Sequence, residues 1–160
     1  MRKWIILITL VSLTLVSFNK IEKRIISEHF HQKIILNDTL NWKKLGYIKF
    51  VKKQHKDYGM IDYPVISPEI KMRNNKRVII SGFIVPIDNV NYAISKNVFA
   101  SCFFCGKAGP ETIAGLKFKE GKKKLRTDQY VTISGTLKLN ETDVDNWMYN
   151  LIDVVILKGE

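Results

Sequence analysis

Apolar and polar positions change rhythm twice along this chain. Residues 4–18 are apolar with only Thr9, Ser12, Thr14 and Ser17 interrupting. Residues 20–36 then space Ile21, Ile25, Ile26 and Phe30 at helical intervals among Lys, Arg and Glu, which predicts an amphipathic linker. Asn37-Asp38-Thr39 breaks that pattern. Beyond Leu40 the texture is that of strands. Residues 47–51 alternate, and residues 77–85 form a β-branched run stopped by Pro86. Residues 92–100 and 112–118 are weaker candidates, residues 130–139 alternate cleanly, and residues 151–157 close the set.

Two of these strands share a signature. Val78-Ile79-Ile80-Ser81-Gly82 and Val131-Thr132-Ile133-Ser134-Gly135 both run β-branched into Ser-Gly. A glycine inside a strand marks a bulge or a corner, which a small curled sheet needs. Gly82 and Gly135 are therefore expected at corners rather than at sites of close backbone approach. The fold expected is mostly β, a small, partly open OB-like β-barrel, with a small β-sandwich as the rival. The organisation that follows is a signal peptide or membrane anchor over 1–19, a basic amphipathic linker over 20–40 and the OB-like domain over 41–160. Gly121-Lys122-Lys123-Lys124 reads as a basic loop between strands. Trp42, Trp147 and Tyr149 read as core aromatics.

Charge adds a location. The 160 residues carry 26 Lys plus Arg against 15 Asp plus Glu, a formal net charge of +11. Residues 20–57 alone hold ten basic and four acidic side chains. Arg2 and Lys3 followed by the apolar run form the pattern of an export signal, and the run is shorter than the roughly 20 residues that cross a bilayer comfortably. The expectation is an exported protein, periplasmic or anchored in the inner membrane and facing the periplasm. The partners expected are the inner-membrane surface or an envelope protein. Nucleic acid is disfavoured, because an exported domain rarely meets it and charge alone is weak support.

The distinctive chemistry is Ser101-Cys102-Phe103-Phe104-Cys105-Gly106. A C-x-x-C spacing lets two sulfurs face one soft metal ion, zinc or copper, or close a small disulfide ring. A self-contained zinc knuckle needs four ligands, and the three histidines (His29, His31, His55) all lie in the N-terminal part. A thioredoxin-like site needs a helix starting at the first cysteine, whereas Gly106 and Gly109-Pro110 favour a turn. Local disulfide, metal contact and redox switch all stay open. Ser101, Phe103, Phe104, Gly106, Gly109, Pro110 and Glu111 line the expected site, with Glu111 the one nearby carboxylate able to act as a third ligand or a base. No paired carboxylates and no nucleophile–base pair is evident. The expectation is therefore a binding or accessory module rather than an enzyme, with a thiol-disulfide oxidoreductase and an OB-type polyanion binder as alternatives.

Trp42-Lys43-Lys44-Leu45, Ser81-Gly82-Phe83-Ile84-Val85-Pro86, the block from Ser101 to Glu111, Leu137-Lys138-Leu139-Asn140 and Trp147-Met148-Tyr149 together resemble a group of uncharacterised exported proteins of the Bacteroidetes type. That group is similar to a wider bacterial family of secreted domains of unknown function with an OB-like fold. The resemblance spans roughly residues 41–157. It implies export, the barrel and the position of the site. The wider family keeps a cysteine where Cys102 stands and a histidine two residues on, where this chain has Phe104 and then Cys105. A thiolate in place of an imidazole keeps a soft-metal ligand, displaced by one residue.

Overall fold

The computed structural model describes residues 39–120 and 124–159. The expected signal or anchor, the linker up to Asp38 and Gly121-Lys122-Lys123 lie outside them. Among the described residues seven strands form, β1 (Ile48–His55), β2 (Gly59–Ile66), β3 (Arg77–Pro86), β4 (Tyr92–Ser95), β5 (Ile113–Phe118), β6 (Tyr130–Leu139) and β7 (Tyr149–Gly159), with two single-turn α-helices, α1 (Trp42–Leu45) and α2 (Pro68–Lys71). Among the described residues no helix is long and apolar enough to cross a membrane.

Strands β3 to β7 close into a five-stranded barrel of order β3-β4-β5-β7-β6, with β6 pairing back onto β3. The sheet is mixed, since β5 pairs with β7 in parallel and every other ladder is antiparallel. The OB-like barrel expected from the sequence is thus present, and it is closed rather than partly open. Strand alternation explains the interior. Val78, Ile80 and Ile84 of β3 and Val131, Ile133 and Leu137 of β6 point inward at a period of two.

Closure depends on bending. Strand β7 reaches both β6 and β5, and both ladders slip in register around Ile152–Val154. Asp153 there has φ 53°, the left-handed value of a bulged residue. Gly135 faces it, where a Cβ would lie 3.1 Å from Val154 Cγ2 and 3.3 Å from the Ile152 carbonyl oxygen. Gly135 sits at that corner, with the Ile152 backbone close by as well. Gly82 is a corner and a close approach together. Strand β3 passes from β6 to β4 at Phe83, and a Cβ on Gly82 would sit 2.5 Å from the Ser95 carbonyl oxygen. The expectation of a corner without backbone approach fails at that position, because the barrel is too narrow there for both strands and a side chain.

The N-terminal part of the domain packs onto β3 and into the barrel core. Leu40 donates its amide to Ile79 O, the Trp42 indole N–H donates to Ser81 O at 2.8 Å, and buried Leu45, Ile66 and Ile70 join the barrel core. Tyr149 is 1 % exposed and its hydroxyl donates to Leu45 O at 2.9 Å. Burial, with the charges of Glu111 and Glu141 adding to it, raises its pKa, so the phenol stays a neutral donor. Tyr149 is a core aromatic as expected, and Trp42 packs half-buried against the core. Trp147 packs, half-buried, on a smaller cluster of Val85, Ala93 and Ile113.

Strands β1 and β2 form a separate hairpin, register Ile48↔Ile66 to His55↔Gly59. Strand β2 was not expected. Pro64 inside it masks the pattern, and the chain tolerates that proline because β2 is an edge strand. Of the expected strands, 92–100 contracts to four residues, since the chain leaves the sheet at Lys96.

Substituting Asp153 by Val is expected to destabilise the domain by about 1–3 kcal/mol in urea unfolding, because a β-branched residue must hold the left-handed backbone. Asp153→Gly is expected to be near neutral. Equal stability of the Val and Gly variants would remove the bulge from this account.

Candidate functional site

The cysteine segment occupies the β4–β5 connection and folds as consecutive 3-10 turns, Phe99–Ser101, Phe103–Cys105 and Pro110–Thr112. The Phe99 amide donates to the Asp128 carboxylate at 2.6 Å, fastening the start of the segment to the turn before β6. The Phe99 carbonyl closes the loop, accepting from the Cys102 amide at 3.2 Å and from the Cys105 thiol at 3.1 Å. Gly106 ends the turn in the left-handed region, φ 66°, where its amide donates to Phe103 O. The turn expected after the cysteines is therefore what forms.

The two cysteines differ in environment. Both cysteines are free thiols, Cys102 fully buried and Cys105 exposed. The local disulfide, one of the alternatives open from the sequence, is not formed. A ready ligand cluster for zinc or copper is not assembled among the described residues. Cys102 is withdrawn into the interior while Cys105 is exposed and engaged at Phe99 O, and among the described residues no three His, Cys, Asp or Glu side chains gather as ligands. Glu111 is half-buried with its carboxylate folded against Gly109, where a Cβ would collide with it. His55 lies at the hairpin turn, its Nδ1 accepting from the amides of Asp57 and Tyr58.

The flanking residues lie elsewhere. Ser101 and Gly106 are exposed, and the side chain of Phe104 lies outside what is described. The Gly109 carbonyl accepts from the Thr112 hydroxyl at 2.7 Å. Phe103, 37 % exposed, and Pro110 turn to a groove of about 420 Å³. The opposite side of that groove is β2, from Ile61 to Pro64, and its remaining side is the β6–β7 loop, residues 140–148. The structure thus brings Phe103 and Pro110, among the sequence-derived site residues, to a concave surface.

Two carboxylates tie hairpin and loop together across it. Glu141 Oε1 accepts from the Ile66 amide at 2.9 Å, and its Oε2 pairs with Lys71 at 2.8 Å. Partial burial opposes ionisation of Glu141, yet Lys71 and the Ile66 amide hold its carboxyl below the ordinary value. Asp145 accepts from the Tyr58 hydroxyl at 3.1 Å and raises that phenol's pKa. The loop itself is organised by Asn140, whose carboxamide oxygen accepts from the amides of Thr142 and Asp143. Sequence reasoning missed these groove residues. The available signal was the acidic spacing of Glu141, Asp143 and Asp145 in a strongly basic chain. A second concavity of about 510 Å³ is lined by Lys117 and Lys138 beside Tyr92 and Trp147.

No family model and no curated protein matches this chain. Among solved structures, the chain is similar to the crystal structure of a DUF3299 family protein from Pseudomonas aeruginosa, at 14 % identity over 61 % of this chain and 69 % of that one, with a TM-score of 0.43.

In the native purified protein, the Cys105 thiol is expected to react quickly with an alkylating reagent and Cys102 only once denaturant is added. Simultaneous rapid modification of both would contradict the buried placement of Cys102.

Proposed function

We propose that this chain is an exported, membrane-proximal binding module, and that it takes its ligand in the groove between the β1–β2 hairpin and the β6–β7 loop. One observation carries the reading. Three segments far apart in sequence, residues 61–64, residues 140–148 and the turn holding Phe103 and Pro110, converge on one partly apolar concavity. In this reading the Cys102–Cys105 spacing supports a wall of the groove. Cys102 anchors the turn from below, Cys105 ties its far end to Phe99 O, and Phe103 between them is presented outward. The groove brings together hydrogen-bonding loops and exposed apolar side chains, which suits the binding of a ligand.

The apolar run behind Arg2 and Lys3, together with the resemblance to exported Bacteroidetes-type proteins, supports a periplasmic or inner-membrane location facing the periplasm. The net charge of +11 favours an anionic inner-membrane surface, and the groove is left for an envelope protein.

Two readouts in cells test the proposal. A membrane-impermeant maleimide added to spheroplasts is expected to label Cys105 without lysis. A photo-crosslinking residue in place of Val144, which lines the groove, is expected to give defined adducts that the same residue in place of Lys158, on β7, does not. Labelling only after lysis would overturn the export, and equal adducts at the two positions would overturn the groove.

A further inference from the structure

The groove has a charge opposite to that of the chain. Asp62, Glu141, Asp143 and Asp145 line it, and none of its described lining residues is Lys or Arg, although the chain as a whole carries +11. Its apolar part is open as well, with Phe50 41 % and Val144 37 % exposed. A cation approaching this protein is repelled at long range and attracted only within about one Debye length of the groove. An acidic groove of this kind selects ligands that are basic and partly apolar.

The strand along the groove adds a second, independent feature. Four consecutive β2 residues, Ile61 to Pro64, line it together with Phe50, the β1 partner of Pro64, so the groove runs along β2 and onto the hairpin face. The Ile66 amide is directed to Glu141 rather than to β1. Backbone groups alternate sides along a strand, so Asp62 and Pro64 present theirs to the same free edge as Ile66. Pro64 has no N–H to offer, which leaves the Asp62 N–H and the carbonyls of Asp62 and Pro64 as a short pairing template. Asp62 lines the groove at that template and lies opposite Lys52 of β1 in the ladder. We infer that the groove binds an extended basic peptide segment that adds as a strand to the free edge of β2, its apolar side chains against Phe50 and Phe103 and its Lys or Arg side chains on Asp62, Asp143 and Asp145. The inference rests on the groove being the binding site.

The test uses the domain with a fluorescent dodecapeptide of alternating Lys and Val, followed by anisotropy and by amide chemical-shift mapping. Binding is expected with shifts concentrated at residues 61–64 and 140–148. Asp62→Lys is expected to weaken it about fivefold, the worth of one well-placed surface charge contact. Raising the salt from about 50 to about 200 mM should weaken it further. N-methylation of alternate peptide residues, which blocks strand pairing, is expected to abolish it. A Glu–Val peptide that binds as tightly, with the same shifts, would overturn the basic ligand class and leave the groove standing. Binding unaffected by both Asp62→Lys and N-methylation would overturn strand addition. No groove shift with either peptide would overturn the inference outright, while defined groove adducts in cells would still support the site.

Discussion

The barrel closes because β7 is bent. In a closed five-stranded barrel β7 must curve to stay paired with both β6 and β5. The bulge at Asp153, with its left-handed backbone, turns β7 where both ladders slip, and Gly135 leaves the space into which it turns. Gly82 does the same on the opposite side, where β3 exchanges β6 for β4 and Ser95 O comes too near for a side chain.

The groove inherits its shape from that closure. Strands β6 and β7 leave the barrel together, so the loop between them projects as a unit that Asn140 braces from within. A two-stranded hairpin is marginal on its own in water. Here Ile66 roots it in the core, and Glu141 and Asp145 hold its base and its turn end to the loop. The cysteine segment, fixed by Asp128, supplies the remaining wall. One carboxylate thus serves two purposes at Glu141. It satisfies an amide that the edge strand leaves unpaired, and it contributes to the acidic character of the groove. Loss of that contact on acidification follows from the sign of its shift. A carboxyl held below its ordinary value contributes stability above its unfolded pKa of about 4.3, and that contribution fades as the pH falls through the lower folded value.

The barrel strands were legible in the sequence because burial on one face imposes a period of two, as in residues 77–85 and 130–139, and because paired Ser-Gly signatures announce corners. Closure was not legible, since it depends on the register of β7 against two partners, and Asp153 carries no local signal that it will adopt a positive φ. The hairpin strand β2 was hidden for a different reason. Its inner face is only half-buried, so the alternation is weak, and Pro64 argues against a strand unless its edge position is known. Of the site, the position of the cysteine turn and the role of its glycine were readable. The fates of the two sulfurs were not, because burial separates Cys102 from Cys105 and spacing alone treats them alike.

The central claim is that the cysteine segment acts through the shape it gives the groove. Its most direct test compares Cys105→Ser with Phe103→Ser in cells, each carrying the photo-crosslinking residue at position 144. Adduct yield is expected to survive Cys105→Ser, because a hydroxyl can still donate to Phe99 O, and to fall sharply with Phe103→Ser. Loss of the adduct in Cys105→Ser, with Phe103→Ser unaffected, would show that sulfur chemistry rather than groove shape is what the segment supplies.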